Sequence, residues 1–336
     1  MSSSSTPPSR PGVFAALGAV YLLWGSTYLA IRFAIETLPP LLMAGTRFLV
    51  AGGLLYGFLR LRGAPGPLRG QWRPAAVVGA LMLLGGNGSV SVAEGFIASG
   101  AAALLVATVP VWIVLLDWLR PGGIRPRTPV LVGVVTGFLG VAVLIGPGEL
   151  GGGALHPVGA ALVLFAALSW AAGSLYSRHA RLPASPLMAT AMEMLTGGAI
   201  MVGCGLALGE GFRVDTAAIS GRSVVALGYL IVAGSLVAFS CYIWLLRNVP
   251  ASVAATYAYV NPLVAVLLGW ALASEPLTPR TWTATAIIIG SVAVITAWRR
   301  PVAPPVPPPP GRTTPDGEHP VAAGRPANSP VRSRGT

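Results

Sequence analysis

The chain contains no lysine; all 22 of its basic residues are arginine. Ten acidic residues, three histidines and two cysteines complete a sparse chemical inventory for 336 residues. Charged residues make up 10% of the chain, against about 25% in an ordinary soluble domain. That is too little polar surface to cover a water-soluble globule, which excludes a soluble enzyme. Cys204 and Cys241 form no disulfide framework and no zinc spacing, and they read as small apolar core residues. His156, His179 and His319 sit at the ends of apolar runs or near the C terminus, with no paired acidic motif beside them. No nucleophile–base pair or metal cluster is therefore readable, and no glycine-rich phosphate loop appears. No cofactor and no metal are expected. The net charge of +12 would suit nucleic acid only if the arginines clustered on one folded face. Most instead flank apolar runs or lie near the C terminus, so no nucleic-acid partner is expected.

What is abundant is apolar: 54% of the residues are hydrophobic and the mean hydropathy is +0.72. A helix crossing the ~30 Å hydrocarbon core needs about 20 such residues. The sequence predicts an all-α integral membrane protein with ten spans, at 13–35, 41–60, 74–95, 98–119, 128–146, 157–178, 186–208, 223–245, 251–273 and 280–298. Proline, glycine and arginine concentrate in the breaks. Residues 1–12 read as a disordered tail, and 301–336 as a disordered Pro/Arg-rich tail on the cytoplasmic side. The connections after even-numbered spans hold ten arginines (Arg60, Arg62, Arg69, Arg73, Arg120, Arg125, Arg127, Arg178, Arg181, Arg247). Those after odd-numbered spans hold three (Arg213, Arg222, Arg280). The excess predicts that the even connections and both termini are cytoplasmic in a cell membrane. The two ends of the bundle are called Arg-rich and Arg-poor below.

The sequence also repeats itself. At one offset Trp24 falls on Trp170, Pro40 on Pro186, Leu49 on Leu195 and Gly52 on Gly198. At a slightly longer one Pro110 falls on Pro262, Leu115 on Leu267 and Trp118 on Trp270. The predicted repeats are 13–146 and 157–298, each of five spans. Five is odd, so the second repeat enters the membrane inverted, an arrangement typical of transporters.

Charges within spans cost about 2.5–3.5 kcal/mol each on the insertion scale, so they default to functional candidates. Four stand out: Arg32, Arg47, Glu94 and Glu193. Arg47 and Glu193 are repeat counterparts, each seven residues after its matched proline, and inversion places Arg47 nearer the outer face. Arg32 and Glu94 fall near span ends, where snorkelling to the interface competes with a functional role. Trp24, Tyr28 and Arg32 share one face of span 1, a stripe suited to an amphiphilic solute with a carboxylate or phosphate. Trp170 and Ser174 repeat the theme in span 6. Asn87 shares a face with Glu94, and Tyr257 with Asn261; isolated Ser and Asn also serve as interhelical glue. Pro110 and Pro262 fall mid-span at matched positions, freeing carbonyls near Val106 and Ala258, and predict paired kinks. Glu193, well inside its span, is a candidate proton-coupling site or ligand for a cationic substrate group. Spans 5 and 10 lack interior charge. Gly133, Gly137 and Gly140 give span 5 a small-residue face that predicts packing on a neighbouring helix or a second copy of the chain.

The stretch Trp24 to Arg32, Met43-Ala44-Gly45-Thr46-Arg47-Phe48, Asn87-Gly88-Ser89, Ser169-Trp170 and Tyr257-Ala258-Tyr259-Val260-Asn261-Pro262 together resemble EamA-type transporters of the drug/metabolite transporter superfamily. The likeness covers nearly all of 13–298 and extends to uncharacterised inner-membrane carriers of the ten-helix group. It implies two inverted five-helix repeats, a central cavity lined by spans 1–4 and 6–9, and export of amino acids or related metabolites. The expected function is secondary active transport by alternating access, with the lipid bilayer, a small molecule, protons and a second copy of the chain as partners. An intramembrane enzyme is the competing reading, but it would need a catalytic constellation that is not readable. A channel or receptor-like protein is another, and no pore-lining filter is readable.

Overall fold

Inside hydrocarbon a backbone has no water to bond, so each apolar run satisfies its own N–H and C=O groups as a helix. The computed structural model describes residues 10–121, 125–145, 155–249, 253 and 256–298, and no strand occurs among them. The helices are α1 (Arg10–Ala34), α2 (Pro40–Leu61), α3 (Arg69–Ala93), α4 (Ser99–Leu119), α5 (Thr128–Ile145), α6 (Pro157–Ser177), α7 (Pro186–Ala207), α8 (Gly221–Leu245), α9 (Tyr257–Ala273) and α10 (Pro279–Trp298). Among the described residues nine are long and apolar enough to cross a membrane, and the apolar part of α9 is shorter. The chain is a multi-pass, all-helical membrane protein. Of the predicted tails 1–12 and 301–336, residues 1–9 and 301–336 lie outside the described residues, as does most of the first turn of span 9; residues 10–12, expected in the first tail, instead begin α1.

Prolines occupy the first turns of α2, α6 and α7, where their missing N–H costs nothing. The sequence placed the start of α3 at 74. It begins at Arg69 with a 3₁₀ turn in which Leu68 N–H donates to Gln71 Oε1 at 2.8 Å. α4 is two segments, Ser99–Val106 and Val109–Leu119, with Pro110 in the first turn of the second. Thr108 Oγ donates to the Leu105 carbonyl at 2.6 Å, satisfying an acceptor at the break. Pro262 lies inside α9 without interrupting it, so the matched prolines do not give matched breaks.

The inverted repeat is visible in local structure. Mid-helix π-helical stretches occur at Gly79–Gly88 in α3 and Leu230–Val237 in α8, the third helix of each repeat. Such stretches in long helices frequently mark functional sites. Tertiary pairing crosses between the halves: α2 packs on α7, α5 on α10, α1 on α8 and α9, and α6 on α3 and α4. At the α2–α7 crossing the repeat-matched Gly52 and Gly198 let the backbones meet. A Cβ on Gly198 would lie 2.9 Å from the Gly45 carbonyl, and one on Gly52 would lie 2.9 Å from Leu195 N.

The glycine face of α5 packs on α10 of the same chain. A Cβ at Gly133 would lie 2.7 Å from Ile295 Cγ1 and one at Gly140 2.7 Å from Ile288 Cγ1. Gly133→Val should therefore destabilise the bundle by about 1–3 kcal/mol, the usual range for overpacking. Gly290→Ala, on the open face of α10, should be near neutral. Thermal unfolding of the purified variants checks both.

Candidate functional site

Two clusters gather most of the sequence-predicted residues. The first is built around the π-helical stretch of α8. Trp24 on α1 donates its indole N–H to the Gly234 carbonyl at 3.1 Å. Its ring meets Phe239, Tyr242 and Tyr257 at centroid distances of 5.2, 5.1 and 5.0 Å. Beside it Arg47 enters from α2, only 4% exposed, and its Nε donates to Ser235 Oγ at 2.8 Å. Its guanidinium lies 4.7 Å from the Phe48 ring centroid. The lack of a side chain at Gly234 makes room for this, since a Cβ there would sit 3.1 Å from an Arg47 terminal nitrogen. Among the described residues no carboxylate forms an ion pair with Arg47. Asn261 lies one turn beyond Tyr257 on α9, 8% exposed, and its Oδ1 is buried without a hydrogen-bond partner.

The second cluster sits at the Arg-poor end. Glu94 follows α3 and is completely buried, so it does not snorkel as a surface carboxylate would. Neither of its side-chain oxygens has a hydrogen-bond partner. Arg32, half-buried, donates instead to the Glu94 backbone carbonyl. Tyr28 lies on α1 between Trp24 of the first cluster and Arg32 of the second.

The second repeat mirrors the first only in part. Trp170 on α6 packs against Gly86 in the π-helical stretch of α3, whereas Trp24 meets the stretch of α8 through a hydrogen bond to the Gly234 carbonyl. Glu193, the counterpart of Arg47, is half-buried on α7 with no side-chain hydrogen bond or ion pair shown to either cluster. Asn87 and Ser174 are half-buried, and only their backbone carbonyls are seen bonded, to Ser91 and Ser177.

Sequence reasoning missed two glutamates in the connections. Glu210, 5% exposed, accepts from the amides of Leu41 and Leu42 at 3.2 and 2.8 Å, the first turn of α2. Glu275 accepts from the amides of Ser99 and Gly100 at 2.7 and 3.0 Å, the first turn of α4. Each carboxylate satisfies orphan amides and meets the positive end of a helix dipole. Both tie the second repeat to the first at the Arg-poor end. There Ser223 Oγ also donates to the Phe33 carbonyl at 2.8 Å, and Arg222 pairs with Glu36 at 3.3 Å. Ser235 and Tyr242 were also missed; at the offset that puts Trp24 on Trp170, Gly88-Ser89 fall on Gly234-Ser235, which is the signal for Ser235.

The profile of the EamA-like transporter family matches residues 10–146 and 157–297. The chain belongs to this family of transporters. It is 44% identical over 285 residues to the uncharacterized inner membrane transporter YedA of Escherichia coli, covering 84% of this chain and 90% of that protein. It is 26% identical over 291 residues to the uncharacterized transporter YvbV of Bacillus subtilis, covering 86% and 92%. A solved crystal structure of a protein, 23% identical, aligns with a TM-score of 0.59 over 86% of this chain and 98% of that one, which speaks to the fold alone.

The glutamate ties are separable from the aromatic cluster. Glu210→Ala strands two amides of α2 and should cost about 2 kcal/mol, while Glu210→Gln, which keeps one acceptor oxygen, should cost less. Urea or thermal unfolding in detergent checks the order.

Proposed function

We propose that the protein is a secondary active transporter that moves a small amphiphilic organic anion by alternating access, with Arg47 as the anion anchor. The observation that carries this is a guanidinium 4% exposed in the helix bundle, bonded to a serine and, among the described residues, paired with no carboxylate. A buried cation without a counter-charge is costly, and a carboxylate or phosphate on the substrate supplies the missing partner. The Trp24, Tyr242 and Tyr257 rings beside it provide the apolar contact that an amphiphile needs. Tyr28, Arg32 and Asn261 extend this surface along α1 and α9; Glu193, Trp170 and Ser174 are the second repeat's side of the path, with Asn87 added from α3 of the first. The absence of a phosphate-binding loop from the sequence leaves a gradient or exchange as the driving force. Export, of amino acids or related metabolites, is the direction that the family resemblance implies.

A shallow apolar depression between α1 and α8, bordered by Ala16, Cys241 and Trp244, lies toward the Arg-rich end of the two helices. Ala16 and Cys241 belong to the same apolar cluster as Trp24 and Tyr257, so an amphiphile entering there would meet the aromatic face. The Arg-rich end is the cytoplasmic one in this reading, by the ten-to-three arginine bias of the connections.

Arg47→Ala should abolish transport while leaving membrane insertion and yield close to wild type. Arg47→Lys should recover less than a tenth of the flux, because an ammonium cannot reproduce a planar bidentate fork. Efflux from cells that overexpress each variant, compared by metabolomics of medium and cytosol, reads both; wild-type flux in Arg47→Ala would make the residue structural. For topology, a reporter fused after Arg300 should be active in the cytoplasm and silent outside, and external activity would reverse the assignment.

A further inference from the structure

We infer that the seam between α1 and α8 is a gate that opens the Arg47 anchor to water from the Arg-poor face. This deepens the transporter reading, on which it rests, by naming the path to the anchor. Five polar contacts follow one another along the seam. At the surface the Ser220 N–H donates to Thr37 Oγ1 at 3.2 Å. Arg222 pairs with Glu36 at 3.3 Å, both side chains exposed, and its guanidinium lies 3.5 Å from the Phe33 ring centroid. Deeper, the completely buried Ser223 hydroxyl donates to the Phe33 carbonyl at 2.8 Å. The Ser26 and Tyr229 hydroxyls then meet at 2.6 Å, and Trp24 donates its indole N–H to the Gly234 carbonyl at 3.1 Å. From Gly221 to Gly234 this covers about 20 Å of α8, at ~1.5 Å per residue. The ladder ends at the anchor itself, because Arg47 Nε bonds Ser235, the residue after the last rung. Thr27 closes that inner end beside it: a Cβ on Gly234 would lie 2.9 Å from Thr27 Cγ2 and 3.1 Å from an Arg47 terminal nitrogen.

The chemistry of the seam suits opening. The buried cluster between the rungs includes the small side chains Ala30, Ala34 and Ala226. Interdigitated large side chains lose their contacts outright when two helices part, whereas each polar group of a ladder finds a water in place of its partner. The ladder is not an echo of the repeat. α6 and α3 are the counterparts of α1 and α8. Among the described residues one side-chain hydrogen bond joins them, from Ser169 Oγ to the Leu81 carbonyl at 2.7 Å. Those helices interlock instead: a Cβ on Gly173 would lie 2.5 Å from Met82 Cγ, and one on Gly86 would lie 2.9 Å from the Trp170 ring. The polar ladder is therefore particular to the seam that leads to Arg47.

The test measures how fast a reporter cysteine reacts with a membrane-impermeant maleimide added at the Arg-poor face of membrane vesicles. The full-length chain carries Cys204→Ser and Cys241→Ser, which remove its free thiols. Thr27→Cys places the reporter at the inner end of the seam and Ala226→Cys places it midway, at positions 9% and 7% exposed. Arg222→Glu sets two carboxylates against each other and should speed labelling of both reporters at least tenfold. Adding Glu36→Arg restores an opposite-charge pair and should return the slow rate. Gly133→Val loosens the packing of α5 on α10 instead and should leave the rates unchanged, which separates opening of the seam from general destabilisation. Ala226→Cys carries the test alone if Thr27→Cys does not fold. Rates unmoved by Arg222→Glu, acceleration that the Glu36→Arg partner does not reverse, or equal acceleration by Gly133→Val overturns the gate. So does acceleration seen only with the label at the Arg-rich face. No substrate is present, so a failed gate leaves the Arg47 efflux test standing, and failure of that test leaves the labelling result standing.

Discussion

A guanidinium buried in an apolar bundle, with no carboxylate partner among the described residues, is the constraint around which this molecule is arranged. Arg47 needs an acceptor, and α8 supplies the Ser235 hydroxyl from within its π-helical stretch. The same stretch presents the Gly234 carbonyl to Trp24, which in turn organises Phe239, Tyr242 and Tyr257. Four helices, α1, α2, α8 and α9, are thus tied to one charge.

The inverted repeat explains why this arrangement can exist and why it is one-sided. Trp170 also meets the π-helical stretch of the other half, but by packing its ring on Gly86 rather than by a hydrogen bond. Glu193 stands where Arg47's counterpart should be, yet it is half-buried and no such set of contacts forms around it. The same one-sidedness appears at the ends. Glu210 and Glu275 both reach from the second repeat to the first turns of α2 and α4 at the Arg-poor end. Charge-assisted bonds to orphan amides are stronger than neutral ones, so releasing that end means breaking four of them. In the alternating-access cycle proposed above, these bonds are among the closing contacts of that end.

The architecture was legible in the sequence because span length, proline placement and repeat matching are local or periodic signals. The small-residue face of Gly133, Gly137 and Gly140 was legible as a packing surface, although only the structure identifies α10 as its partner. The site was legible in part. Trp24, Tyr28, Arg32 and Arg47 stand out through aromatic and charge spacing within apolar runs. Glu94 was readable as a candidate, but its complete burial was not, since a span-end carboxylate looks the same in sequence whether it snorkels or is enclosed. Glu210 and Glu275 carried no signal, because a loop glutamate capping a helix more than 160 residues earlier follows from tertiary folding alone. Proline at a matched position was a poor guide to backbone breaks: α4 breaks ahead of Pro110, while α9 runs through Pro262.

The claim that Arg47 awaits an anion is tested most directly by ligand binding rather than by flux. Purified wild-type protein would be screened for thermal stabilisation by amphiphilic carboxylates and phosphates, each paired with its neutral amide or alcohol analogue. The account predicts that at least one anion stabilises wild type, that its neutral analogue does not, and that Arg47→Gln responds to neither. Equal stabilisation by the anion and its neutral analogue, or an undiminished response in Arg47→Gln, would contradict it.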